Sequence, residues 1–110
     1  MFAVIYSFKV KKDREKDFEE AWNALTKLIY EFEGSLGSRL HKLKQREYIA
    51  YAQWPDRVTW ANAGNKLPGN SKNISQQMRD SCEQIETVYE LDVIDNLLKK
   101  ETRSKVNSEL

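Results

Sequence analysis

The hydrophobic period of this chain switches between two and 3.6 in an order that few folds accommodate. Phe2, Val4, Tyr6, Phe8 and Val10 share one side of an alternating run. Ala3, Ile5, Ser7 and Lys9 occupy the other, so the segment reads as a strand with one strongly apolar face. From Asp13 the period lengthens: Phe18, Ala21, Trp22, Leu25, Leu28, Ile29 and Phe32 form one stripe of a long amphipathic helix. Asp13 is the expected N-cap, Glu15 suits the first turn, and Gly34 suits the position just past the helix end.

Alternation returns in residues 36–44 and 47–54, around the polar turn Lys44-Gln45-Arg46, and predicts an antiparallel hairpin. Pro55 and Asp56 stop the second of these strands, and Asp56 is placed to cap a short helix reaching to about Ala63. Leu67-Pro68-Gly69-Asn70 is a break. Ser71 or Asn73 then caps a further helix in which Ile74, Met78 and Cys82 fall four residues apart. A last strand over 85–94 has Ile85, Tyr89, Leu91 and Val93 on one side and Val88 and Ile94 on the other.

That order, βαββ followed by a split helical segment and a final β, predicts an α+β fold. Its expected form is a ferredoxin-like βαββαβ plait with an antiparallel sheet. In a plait both helical layers cover one sheet face, yet the opposite face here offers Ile5, Ile49 and Tyr51. Left wet, that face is a sizeable apolar patch. A second sheet packed against it removes the problem, so the expected assembly is a homodimer, a dimeric α+β barrel. The domain is expected to span residues 1–98. The polar stretch 99–110, which has no apolar stripe, is expected to be a C-terminal tail.

A chain of 110 residues supports one domain, and 18 basic against 17 acidic residues leave a formal charge of +1. The charges are scattered, which argues against nucleic acid as a partner. A mean hydropathy of -0.74 alongside three Trp, five Tyr and four Phe indicates a polar surface around an aromatic interior. The apolar start FAVIY is too short for a signal sequence or a membrane span; the reading is a cytoplasmic protein with no membrane partner. Cys82, the single cysteine, is expected to be a small core residue in a reducing compartment.

The chain lacks the His-Glu-x-x-His, Cys-x-x-Cys, phosphate-loop, nucleophile-elbow and dinucleotide glycine signatures. His41 is the only histidine, so one subunit cannot build a multi-histidine metal site. No metal or organic cofactor is expected. The paired carboxylates Glu19 and Glu20, or Asp92 and Asp95, fall where solvated charge is expected.

The remaining candidates are an aromatic and polar set: Tyr6, Trp54, Trp60, Arg39 and His41. The even face of the first strand points toward the helices, so Tyr6 reaches the gap between sheet and helices. Trp54 ends the third strand and Trp60 lies on the helix after it. As core residues the two indoles fill space; as pocket walls they offer flat apolar surfaces to an aromatic ligand. Arg39 and His41 share the strand face opposite Leu40, and His41 has an unperturbed pKa suited to proton transfer near neutral pH. It reads either as a surface or interface histidine or as a polar partner in the pocket. Asn62 and Asn65 read first as helix-end residues.

Gly34-x-x-Gly37-x-x-Leu40-His41, followed by a Tyr- and Ala-bearing strand that ends in Trp54-x-Asp56-x-x-x-Trp60, resembles the antibiotic biosynthesis monooxygenase family of small dimeric α+β barrel proteins. The resemblance runs from FAVIYSFKV to ELDVIDNLL, roughly residues 1–98. It implies a cofactor-independent monooxygenase acting on a quinol- or anthrone-type aromatic, which itself passes an electron to oxygen in a dry pocket. The alternative is a non-catalytic dimeric barrel that binds a small ligand. Haem-degrading relatives place an Asn on the first strand and a haem-ligating His beyond the helix Trp; here Tyr6 falls at the Asn position and no His follows Trp60. Haem degradation by that route is therefore not expected.

Overall fold

The computed structural model describes residues 1–99, and the rest of the expected tail lies outside the described residues. Element order is β1 (Phe2–Val10), α1 (Glu15–Phe32), β2 (Gly37–Lys44), β3 (Glu47–Trp54), α2 (Arg57–Ala61), α3 (Ser71–Asp80) and β4 (Cys82–Asp92). The strands form one antiparallel sheet in the order β2-β3-β1-β4. This is the ferredoxin-like plait, with β1 and β3 in the centre and the helices on one face.

The alternation in β1 translates directly into burial. Phe2, Val4, Phe8 and Val10 are buried on the helical side, and Tyr48, Ala50, Ala52 and Trp54 continue that side on β3. The core divides into two clusters, one around Phe8, Phe18 and Tyr48, the other around Phe2, Val4 and Trp54. Tyr6 packs against both. In α1, Phe18, Ala21 and Leu25 are buried, whereas Phe32 at the helix end is 43% exposed.

Capping differs from expectation at two helices. Asp13 does not cap α1: it adopts φ +64, a left-handed conformation that Asp tolerates, and Arg14 takes the cap position without a side-chain bond. Arg14 instead pairs with Asp17 at 2.8 Å. At α3 the cap position belongs to Asn70, and Ser71 is already helical. Gly34, at φ +80, ends α1 as expected, and the Asp56 side chain caps α2 by accepting from the Thr59 backbone N–H at 2.8 Å. Because α3 stops at Asp80, Cys82 is the first residue of β4 and not a member of the helical stripe; it is nonetheless buried in the core.

The last strand carries its apolar side chains on two faces. Ile5 pairs with Tyr89 but Tyr6 pairs with Thr87, which leaves Val88 as an extra, bulged residue. The bulge puts Ile85 opposite Phe8 on the helical face and puts Tyr89 and Leu91 opposite Ile5 and Ala3 on the open face. The uniform side expected for Ile85, Tyr89 and Leu91 assumed unbroken alternation. As a result Tyr89 (60% exposed) and Leu91 (42% exposed) extend the apolar surface begun by Ile5, Ile49 and Tyr51. No helix among the described residues is long and apolar enough to cross a membrane.

Candidate functional site

Small side chains in the centre of the sheet open a cavity beneath the helices. Tyr6 lies opposite Ala50, Val4 lies opposite Ala52, and Ser38 pairs with Ala52 from the next strand. Three small residues around one large phenol leave unfilled space on the helical face. The stripe of α1 roofs it with Trp22, Leu25, Thr26 and Ile29, α3 adds Met78, and Trp54 and Phe8 complete the lining of a cavity of about 220 Å³. No ionisable side chain other than Tyr6 lines it among the described residues.

The Tyr6 hydroxyl accepts a hydrogen bond from the Trp60 indole N–H at 2.8 Å, which joins β1 to α2 across the cavity wall. Several contacts fix Trp60 in that position. Its ring lies 5.5 Å from that of Phe2, Asp56 caps its helix, and Arg57 reaches back to Glu90 on β4 at 2.5 Å. Beyond α2, the buried Glu33 carboxylate accepts the backbone N–H groups of Gly64 and Lys66, each at 2.9 Å, and so anchors the following loop to the end of α1. Burial pushes the Tyr6 phenol above its ordinary pKa; the bond from Trp60 partly offsets this and the nearby charge of Glu90 adds to it. Tyr6 therefore remains neutral around physiological pH.

Trp54 is 3% exposed, and its indole N–H has no acceptor within the described residues. A buried donor left unpaired costs about 1–3 kcal/mol, so such groups need a reason. Cys82 contributes no nucleophile: burial, the dominant effect, pushes its thiol up to about 11 despite the opposing charge of Lys11.

Of the five residues singled out in the sequence, the structure brings three together. Tyr6 and Trp54 line the cavity and Trp60 is bonded to Tyr6. Arg39 and His41 do not face it. They pair with Tyr51 and Ile49 in register, which places them on the open sheet face, where they line a separate groove of about 670 Å³ with Ile5 and the Val93–Leu98 segment. His41 Nδ1 lies 3.3 Å from the carbonyl oxygen of Ile49. Their position opposite Leu40 already indicated this face. The hydroxyl of Tyr6 meets the Trp60 indole and no backbone group among the described residues.

Trp22, Thr26, Ile29, Ser38 and Met78 complete the lining without having been read as site residues. Trp22, Ile29 and Met78 were visible as apolar stripes, and only the small residues at 38, 50 and 52 could have shown that those stripes cover a space. Among the described residues no group of three or more His, Cys, Asp or Glu side chains is placed to hold a metal ion.

The antibiotic biosynthesis monooxygenase sequence profile matches residues 1–65. The chain belongs to that family. Among solved structures, SnoaB from Streptomyces nogalater, a cofactor-independent oxygenase, superposes with a TM-score of 0.71 at 15% identity over 89% of this chain and 97% of its own. Rv0793 from Mycobacterium tuberculosis gives 0.69 at 14% identity, covering 88% of this chain and 98% of the other. A conserved protein from Methanosarcina mazei Go1 gives 0.62 at 14% identity, over 77% and 87%. At such identities the likeness is one of fold. No curated protein matches the sequence.

Proposed function

We propose that this chain is a monooxygenase-like protein that holds a small electron-rich aromatic of quinol or anthrone type in the cavity beneath its helices, and oxidises it with O2 without metal or flavin. Family membership supports the reaction class, and SnoaB supplies a cofactor-independent oxygenase of the same fold. The observation that carries the reading is the cavity itself, with indole walls and one phenol oriented by Trp60.

In this reading the substrate, as its anion, passes an electron to O2, and the two radicals join at the reacting carbon. Loss of water from the resulting hydroperoxide leaves a carbonyl there. One oxygen atom stays in the product and the other departs as water; its two hydrogens both come from the methylene carbon of an anthrone, or one from the ring carbon and one from a phenolic hydroxyl of a quinol. The protein supplies orientation and a dry, apolar surround. Size narrows the substrate class: an engineered cavity of roughly 150 Å³ holds benzene, so the space of about 220 Å³ suits one or two rings, and three require it to widen.

A second reading, ligand binding without turnover, draws on the absence of an ionised side chain in the described lining. Oxygen uptake separates the two. With a hydroquinone or anthrone, protein-dependent uptake above autoxidation, unchanged by EDTA, is expected; saturable binding with no accelerated uptake would favour the second reading.

The same proposal includes a homodimer formed through the open sheet face. Ile5, Ile49, Tyr51, Tyr89 and Leu91 lie there together, and burying them against a second copy removes a contiguous apolar surface from water.

A further inference from the structure

We infer that Tyr6 is the specificity-determining residue of the cavity, locked by Trp60 into offering its own proton, so that the site selects an aromatic bearing an acceptor oxygen: a ketone, a quinone carbonyl or a phenolate. This rests on the aromatic-ligand reading proposed above and adds the polarity of the contact.

An indole has an N–H and no acceptor, so in the Trp60–Tyr6 bond the phenol oxygen is necessarily the acceptor. The Tyr6 proton is then directed elsewhere. Among the described residues it has no acceptor: the bond from Trp60 is the only hydrogen bond the Tyr6 side chain makes. Rotating the phenolic hydrogen toward Trp60 is closed off, because two donors would then face each other at 2.8 Å. A tyrosine hydroxyl that is ambivalent in isolation has thus become a directed donor on the cavity wall.

The neighbouring groups share this bias. Trp54, also in the lining, holds its buried indole N–H without an acceptor. Thr26 and Ser38 can turn either way, and no carboxylate, imidazole or ammonium lines the cavity among the described residues. Unfilled hydrogen-bonding capacity at this site is therefore weighted toward donors, and a ligand oxygen with free lone pairs complements it. Because burial raises the Tyr6 pKa, the proton is retained at neutral pH.

The test compares 1-indanone, a bicyclic ketone that only accepts, with its hydrocarbon parent indane. Binding is followed by indole fluorescence in the full chain and in Tyr6→Phe, and the bound ketone's C=O stretch is followed by infrared difference spectroscopy. The expected result is a carbonyl band at lower wavenumber in the wild type that returns toward its apolar-solvent position in Tyr6→Phe. The ratio of indanone to indane affinity should fall by about tenfold in the variant, the worth of one hydrogen bond, with indane affinity itself unchanged. A ratio and a band position that survive the substitution overturn the donor assignment and leave the aromatic site standing. Should neither compound bind the wild type, the aromatic site falls and the assignment falls with it. If Tyr6→Phe does not fold, the wild-type band decides alone: an unshifted carbonyl overturns the assignment.

Discussion

The Tyr48 hydroxyl, at the edge of an otherwise buried ring on β3, donates to the Glu19 carboxylate of α1 at 2.5 Å. Glu15, one turn earlier, lies 3.2 Å from the same hydroxyl and pairs with Lys42 of β2 at 2.8 Å. The first helix is thereby fastened to two adjacent strands by a single polar cluster at the end of the sheet away from Trp60.

Replacing Tyr48 with Phe keeps the ring and removes this tie, at an expected cost of about 1 kcal/mol in urea unfolding. The pH dependence has a defined sign. Burial, followed by the Glu19 hydrogen bond and charge, raises the folded phenol above its ordinary value of 10.0. Its contribution is complete below pH 10 and is lost as pH rises through the folded value, because the unfolded chain ionises first. Alkaline melts above pH 10 should therefore fall more steeply for the wild type than for Tyr48→Phe. Parallel curves would show that the cluster does not hold the phenol neutral.

At the acid end the same cluster acts through Glu15. The hydrogen bond from Lys42 lowers its pKa below the ordinary value of 4.5, so its contribution is present above that value and lost as pH falls through the folded one. Both partners are solvent-accessible, so the expected effect is small and screened by salt. Lys42→Met should reduce acid sensitivity at low ionic strength and leave it unaltered in 1 M NaCl.

For the proposed dimer, light scattering should give about twice the chain mass of 12.9 kDa. Tyr51→Glu places a charge in the middle of the open face and is expected to yield monomers or to abolish folding, since an unpaired charge in a dry interface is strongly unfavourable. A wild-type monomer at micromolar concentration would contradict the barrel arrangement.

Trp60→Phe retains most of the ring and removes the N–H that holds Tyr6. The expected outcome is a melting temperature within a few degrees of wild type, a loss of about 0.5–1.5 kcal/mol, and a clearly weaker aromatic ligand. Trp60→Ala removes a half-buried indole and should cost about 2–4 kcal/mol. Paired melts and ligand titrations on the Phe variant distinguish a residue that positions Tyr6 from core filling; an unchanged titration takes Trp60 out of the site.

Cys82 should be inert toward thiol reagents in the native protein at pH 8, because it is buried and its thiol is raised to about 11. Reaction with an aromatic disulfide reagent is expected only on addition of denaturant. Fast native labelling would mean that the β4 end of the core opens readily.

What the sequence made legible follows from how local each signal is. The faces of β1 and β3 come from strict alternation, and both survive in the structure because their pairing with each other is regular from Phe2–Trp54 to Lys9–Glu47. The Asp56 cap is likewise a local matter. By contrast, the faces of Tyr89 and Leu91 depend on Val88 being skipped by its partner strand, a tertiary event that periodicity cannot register. The cavity was hidden for a related reason. Tyr6 and Trp54 could be placed on the helical face, but the space between them depends on Ser38 of β2 meeting the small residues Ala50 and Ala52 of β3 beside Tyr6 of β1. Arg39 and His41 entered the candidate set for their polar chemistry, whereas their alternation with Leu40 put them on the other face from the start.

The bulge at Val88 also bears on how the length of this protein can change. Thr87 and Tyr89 face opposite sides of the sheet although they are two positions apart, so removing Val88 restores ordinary alternation between them without turning either side chain over. Loss of one codon there is expected to straighten β4 while keeping Tyr89 and Leu91 on the open face. An insertion or deletion in β1 or β3, where every residue is paired, has no such slack and inverts the remainder of the strand. The edge strand can therefore absorb single-residue length variation that the central strands cannot, and homologues that differ in length by one residue between Thr87 and Tyr89 can keep the same two faces.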